Sequence, residues 1–185
     1  MTRLTLVLLL FFGMAPALAS DEAPAPKDMV LLTVSGLITK TNRGAFDPKR
    51  DSLLALQKIG FDKAFAFDRP TLLSLPQGEV KAQPPEFDKP ATFKGPYLRE
   101  LLQFLETAKV KISFVAVDGY TGYLEPEDID HSDWILALEA DGVPLGIGQQ
   151  GPIWLINTRA AGEKASDDHH GHWVWALFYI HVGDE

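Results

Sequence analysis

Asp167-Asp168-His169-His170-Gly171-His172 is the densest group of metal-ligating side chains in this 185-residue chain. Imidazole and carboxylate together suit zinc or copper. A catalytic metal also needs ligands fixed by second hydrogen bonds on rigid elements. The cluster sits in a polar stretch, residues 161–171, without such support, so adventitious binding is expected and no metal site is assigned. Asp118-Gly119-Tyr120 is a different case. A carboxylate in a glycine turn at a strand end can accept hydrogen bonds from a ligand edge, or it can shape the turn through its own backbone. The four tryptophans are Trp134, Trp154, Trp173 and Trp175. Flat rings stack on flat ligands or fill a core, and at least two of these read as core. Trp173 and Trp175 share a parity on an extended run, and Trp173, nearer the preceding loop, is the better pocket wall. Arg159 follows an apolar run and could hold an anionic ligand or a neighbouring carboxylate. His131 and His181 stand alone, and His181, inside an apolar run, reads as a partly buried structural residue. The chain has no glycine-rich phosphate loop, no GxSxG and no HExxH, and no spacing of Ser, His and Asp marks a triad. No catalytic residue is assigned.

These side chains must be positioned by a β-rich set of elements. Residues 29–36 (MVLLTVSG) read as a strand stopped by glycine. Asp51 and Asp68 each precede a leucine-containing stretch that suits a short helix, 51–58 and 68–75. Residues 76–92 hold four prolines and read as an extended loop around a short strand at Val80. Gly95-Pro96 puts proline at a first helical position, and Leu98, Leu101, Leu102 and Leu105 then recur at the spacing of one buried helix face. Residues 112–117, 134–138 and 153–156 read as strands. Asp118-Gly119 and Asp141-Gly142 mark turns, the second of hairpin type. Residues 173–182 (WVWALFYIHV) are apolar at both parities, as expected of a central strand covered on both faces. The pattern predicts one α+β domain, β-rich with a few short helices and no internal repeat.

Composition narrows the environment. Arg3, the apolar run Leu4 to Met14 and Ala17-Leu18-Ala19 together read as a signal peptide over residues 1–19, with Ser20 as the new N-terminus. The apolar run is too short to cross a bilayer of ~30 Å. Residues 20–28 are expected to be a flexible lead-in, and residues 29–185 the folded domain, exported to the periplasm and not inserted in the membrane. A net charge of −8 argues against nucleic acid and anionic lipid as partners. The chain has no cysteine, so no disulfide, thiolate nucleophile or cysteine-ligated metal is available.

Several segments, in order, resemble the oxidoreductase molybdopterin-binding domain family, the sulfite oxidase fold. They are Leu32 to Gly36 leading to Thr41-Asn42, Phe67-Asp68 with Leu72 to Pro76, and above all Phe93-Lys94-Gly95-Pro96-Tyr97-Leu98-Arg99-Glu100-Leu101-Leu102. Val117 to Tyr120, Leu138 to Gly142, Gly151 to Ile156 and Trp173 to Leu177 follow, so the resemblance runs from about residue 31 to 182. It implies a mixed-sheet fold of that type and a pterin-shaped pocket. Asn42, Asp118, Tyr120, Trp154, Arg159 and Trp173 are the ligand-binding residues it implies. Catalytic members hold molybdenum through a cysteine thiolate, so molybdenum is not expected here. Many small members carry Thr-Pro-Trp where this chain has Gln83-Pro84-Pro85, and Ala45 to Ala64 is extra sequence. Small periplasmic relatives without the cysteine resemble pterin-binding proteins that report to a membrane-bound cyclic-di-GMP enzyme. The resemblance therefore implies a non-catalytic periplasmic binder of a reduced pterin with a signalling partner. The alternative it implies is a molybdopterin-dependent oxidoreductase or an accessory subunit of one. A metal-buffering protein built on the histidine cluster is a third reading.

Overall fold

The computed structural model describes residues 23–84, 87–131, 134–157 and 173–184. In chain order the elements are β1 (Val30–Gly36), α1 (Ser52–Leu56), β2 (Ala64–Asp68), α2 (Arg69–Ser74), β3 (Gln77–Ala82), β4 (Ala91–Pro96) and α3 (Leu98–Phe104). They continue with β5 (Ile112–Ala116), β6 (Thr121–Leu124), α4 (Pro126–His131), β7 (Trp134–Ala137), β8 (Glu139–Ala140), β9 (Val143–Pro144), β10 (Trp154–Asn157) and β11 (Leu177–Val182).

The apolar run before the C-terminus does become a central strand. The largest sheet has the order β2-β1-β11-β5-β6. β11 runs parallel to β1, with Thr33 opposite Tyr179, and antiparallel to β5, with Ile180 opposite Phe114. Strand alternation sends Leu32, Val34, Phe114 and Ile180 into the main core. The other face carries a smaller cluster, Leu54, Val115 and Tyr179, packed with Phe46, Ile59 and Phe61. The extra segment 45–64 thus covers the second face of β11. On that face Ser35 Oγ lies 2.5 Å from Tyr179 OH, and His181 Nδ1 lies 3.5 Å from each oxygen. His181 is half-buried, as its isolated place in an apolar run implied.

Two smaller sheets, β10-β7 and β3-β4-β8-β9, close the main core. Gly95 is where they meet most tightly: a Cβ there would lie 1.9 Å from the Leu136 carbonyl oxygen. Lys94 O accepts from Leu138 N at 2.8 Å beside it. α3 buries Leu98, Leu101 and Leu102 as its spacing predicts. Asp141 and Gly142 take positive φ, 49° and 76°, as the tip of the β8–β9 hairpin.

The structure also corrects several expectations. The short strand expected at Val80 is present as β3, but it is longer and pairs antiparallel with β4, Val80 opposite Phe93, where the sequence implied only extended loop around it. β3 alternates buried Gly78, Val80 and Ala82 with exposed Glu79 and Lys81, a period-2 pattern whose buried members on either side of Val80 are too small to mark the full length of the strand. Pro96 ends β4, and the helix starts one residue after Tyr97. Residues 173–176 precede the last strand in a turn, with Ala176 at φ 51°. The lead-in is tied down from residue 23: Ala23 N donates to Thr41 O at 3.0 Å, and Lys27 N and Asp28 N donate to Asp68 Oδ2 at 2.8 and 3.1 Å. The signal-peptide segment lies outside the described residues. No helix among the described residues is long and apolar enough to cross a membrane.

Candidate functional site

The turn after β5 is built by its own backbone. Gly119 N donates to Ala116 O and Ala116 N to Tyr120 O, both at 2.9 Å, and Gly119 takes φ 89°. Asp118 Oδ1 accepts from Tyr120 N at 3.0 Å, which is the turn-shaping role. Its Oδ2 makes no hydrogen bond among the described residues, so the exposed carboxylate keeps a free acceptor edge. The facing wall is the turn 173–176. It is pinned at three points: Val174 O accepts from Leu155 N at 2.8 Å, Ala176 N donates to Gln150 O, and Ala176 O accepts from Val117 N, the last two at 2.9 Å.

Between the two turns lies a cleft of about 180 Å³ lined by Asp118, Tyr120, Trp173, Val174 and Trp175. Val174 and Trp173 are buried, while Tyr120 and Trp175 are 46% and 38% exposed. Gly122 lies under the Tyr120 ring, where a methyl would just touch Tyr120 Cε1 at 3.6 Å and Val174 Cγ2 at 3.7 Å. Aromatic faces and one carboxylate edge suit a flat ligand that donates hydrogen bonds. No cation and no activated nucleophile is among the described lining residues. The cleft is smaller than the ~300 Å³ at which pockets for drug-sized ligands begin.

Asp118, Tyr120 and Trp173 are therefore brought together from two distant segments, and Trp175 joins them. Trp175 was legible in part, since it shares parity with Trp173. The extended reading of 173–176 concealed that both rings reach one cleft from a turn.

Asn42 and Trp154 are not at this cleft. Asn42 is 7% exposed and its amide is occupied: Nδ2 donates to Ala66 O at 2.9 Å and Pro24 O at 3.3 Å, and Oδ1 accepts from Ala66 N at 2.7 Å. It stitches the lead-in to β2, at the sheet edge opposite β5 and β6. Trp154 is 1% exposed and packs edge-on against Phe93 at 5.4 Å and tilted against Phe87 at 5.9 Å. It is core, as is Trp134, whose Nε1 donates to Asp128 O at 3.2 Å. Arg159 and the cluster 167–172 lie outside the described residues. Among the described residues no group of three or more His, Asp or Glu side chains could hold a metal ion.

Asp68 is a buried carboxylate that the ligand reading passed over. Burial opposes its charge, yet the carboxyl is held well below the usual range because it accepts from Thr71 Oγ1 and Thr71 N as well as Lys27 N and Asp28 N. It caps α2 and anchors the lead-in, a structural role.

Set against known proteins, the chain matches no family model and no curated protein. Among solved structures it is similar to the sulfane dehydrogenase SoxCD from Paracoccus pantotrophus, with a TM-score of 0.52 at 15% identity over 91% of this chain. The match covers 45% of that chain, so this protein spans less than half of its neighbour's length. At that identity the likeness concerns the fold alone. The architecture is a distant sulfite-oxidase-like fold, related coarsely to that of an oxidoreductase subunit.

The thiolate-held molybdenum that the sequence resemblance attaches to this fold has no ligand here, because the chain contains no cysteine. The residues present do not fit that group.

Proposed function

We propose that this protein is a non-catalytic binder of a reduced pterin, held between the Asp118–Tyr120 turn and the Trp173–Trp175 turn. The observation that carries the reading is the convergence of Asp118, Tyr120, Trp173 and Trp175 on one cleft. Stacking on an indole face supplies affinity, and Asp118 Oδ2 accepts from the amino-pyrimidine edge of the bicycle. The absence of a cysteine supports binding without molybdenum. Cleavage after Ala19 and residence in the periplasm belong to the same proposal. So does a partner, the periplasmic domain of a membrane-bound cyclic-di-GMP enzyme that reads ligand state.

Anaerobic titration calorimetry with tetrahydropterin tests the binding claim. Saturable heat below about millimolar concentration, with quenching of tryptophan emission, is the expected result. No saturable binding in that range removes the pterin reading. A second reading, an accessory subunit of an oxidoreductase, is favoured by the coarse likeness to sulfane dehydrogenase. Co-purification with a redox-active partner from the native periplasm would move the assignment to it.

A further inference from the structure

Residues 76–84 read Pro-Gln-Gly-Glu-Val-Lys-Ala-Gln-Pro, a run that mirrors itself about Val80. Proline stands at both ends and glutamine just inside each. Small Gly78 and Ala82 come next, and Glu79 and Lys81 flank the centre with opposite charges. Residues 77–82 of the run are β3, the end strand of the sheet β3-β4-β8-β9.

Hydrogen bonding fixes which backbone groups of β3 face outward. Lys94 O accepts from Leu138 N and Thr92 O from Asp141 N, both at 2.8 Å, so these two residues of β4 turn their backbone towards β8. Phe93 and Gly95 alternate with them and turn theirs towards β3, where they oppose Val80 and Gly78. Tyr97 N donates to Pro76 O at 3.1 Å in the same phase. The N–H and C=O groups of Glu79 and Lys81 therefore point away from β4, and none makes a hydrogen bond to the described residues. Both side chains are exposed, while Gly78, Val80 and Ala82 are buried on the other face. The β2 edge of the largest sheet is built differently. There Arg43 and Ala64 exchange backbone bonds at 3.2 and 3.1 Å, and the Asn42 amide takes both Ala66 N and Ala66 O. That edge is closed; the β3 edge is open, and an open edge is a template for another strand.

We infer that β3 pairs antiparallel with β3 of a second copy of this chain, about a two-fold axis at Val80. In that register Glu79 lies opposite Lys81 of the second copy and Lys81 opposite its Glu79, each rung exchanging both backbone hydrogen bonds. Opposite charges facing each other across strands stabilise such a pair, and like charges weaken it. Moving the axis to residue 79 or 81 sets Glu79 on Glu79 or Lys81 on Lys81, so charge selects the register. Gln77 then meets Gln83 and Pro76 meets Pro84, so the two open stretches match end to end. An interface of this symmetry is closed, and pairing stops at the dimer. The contact is short and its ion pairs are exposed, which makes the dimer weak.

Sedimentation equilibrium of the protein over about 10 μM to 1 mM, a span that brackets weak association, is expected to show monomer and dimer in exchange. Glu79→Lys and Lys81→Glu each turn both rungs into like-charge pairs, and each is expected to weaken dimerisation about tenfold or more. Glu79→Lys does this while bringing the net charge of −8 closer to zero, so general repulsion between anionic copies predicts the opposite change for it. The double variant, Glu79→Lys with Lys81→Glu, restores opposite charges on each rung and should recover the parental constant to within about threefold. An equimolar mixture of the two single variants should form the heterodimer for the same reason. Unchanged melting curves verify that these exposed substitutions leave the fold intact. In the parent protein the amide NMR signals of Glu79 and Lys81 should shift on dilution. No association by about 1 mM, a double variant as weak as the single ones, or dilution shifts that leave those two amides unmoved would each overturn the inference.

Discussion

Trp154 and Trp175 present the same ring to different surroundings, and this sets what their removal does. Trp154 packs against Phe87 and Phe93 in the core, so Trp154→Ala is expected to cost about 3–5 kcal/mol of stability. Trp175 is 38% exposed at the cleft, so Trp175→Ala should change stability by only about 0.5 kcal/mol. It should weaken pterin binding by about 1–3 kcal/mol, the scale of stacking on a flat heterocycle. Urea melts and calorimetry on both variants separate the roles, and a Trp175→Ala protein with parental affinity would contradict the cleft assignment. Asp68 gives a pH dependence whose sign is fixed. Its folded carboxyl ionises below the unfolded value near 3.8. Its contribution is therefore full above about pH 4 and is lost as pH falls through the depressed folded value. Asp68→Asn should lower stability at pH 7 by about 1.5–3 kcal/mol, the range for hydrogen bonds to a charged group. It should also flatten the acid limb below pH 4. A variant with the parental slope there would assign the acid sensitivity elsewhere. At this scale, sequence marked Asp118, Tyr120 and Trp173 through turn chemistry and resemblance. It did not separate a tryptophan facing a cleft from one facing phenylalanines, because that choice is made by strand pairing far along the chain.

Among the elements, those with strong periodicity were legible. α3 repeats leucine on one face, β1 ends at a glycine, and β11 is apolar at both parities because clusters cover it on both sides. The β3–β4 hairpin was legible only as a short strand at Val80, since proline at 76, 84, 85 and 90 signals breaks and the buried side of β3 is Gly, Val and Ala. What holds the hairpin is long-range: Gly95 lets β4 approach β7 so closely that a Cβ would overlap the Leu136 carbonyl. Backbone cannot yield as a flexible side chain can. Gly95→Ala is accordingly expected to destabilise by about 3 kcal/mol or more, at the upper end of overpacking costs, read as a lower urea midpoint. A midpoint within error of the parent would mean that the two sheets are not packed as described.

For the whole molecule, the fold and the chemistry associated with it part company at one residue type. A sulfite-oxidase-like architecture can be kept by packing alone, because its core here is a continuous apolar cluster across three sheets. Thiolate ligation of a metal cannot be kept without cysteine, and no rearrangement of the described carboxylates and imidazoles supplies a comparable soft donor. The anionic balance adds to this, since a phosphate-bearing cofactor would meet a protein of net charge −8 through a cleft with no cation in its described lining. Protein purified from its native source after growth with molybdate is therefore expected to carry far less than one molybdenum per chain. A reduced pterin should appear in the acid-denatured supernatant, where oxidation makes it fluorescent. Elemental analysis and fluorescence of the same sample read the two quantities independently. Stoichiometric molybdenum would transfer the protein to the oxidoreductase reading and require ligands other than sulfur. Pterin without molybdenum, lost in Trp175→Ala, would tie the ligand to the cleft between the Asp118–Tyr120 and Trp173–Trp175 turns.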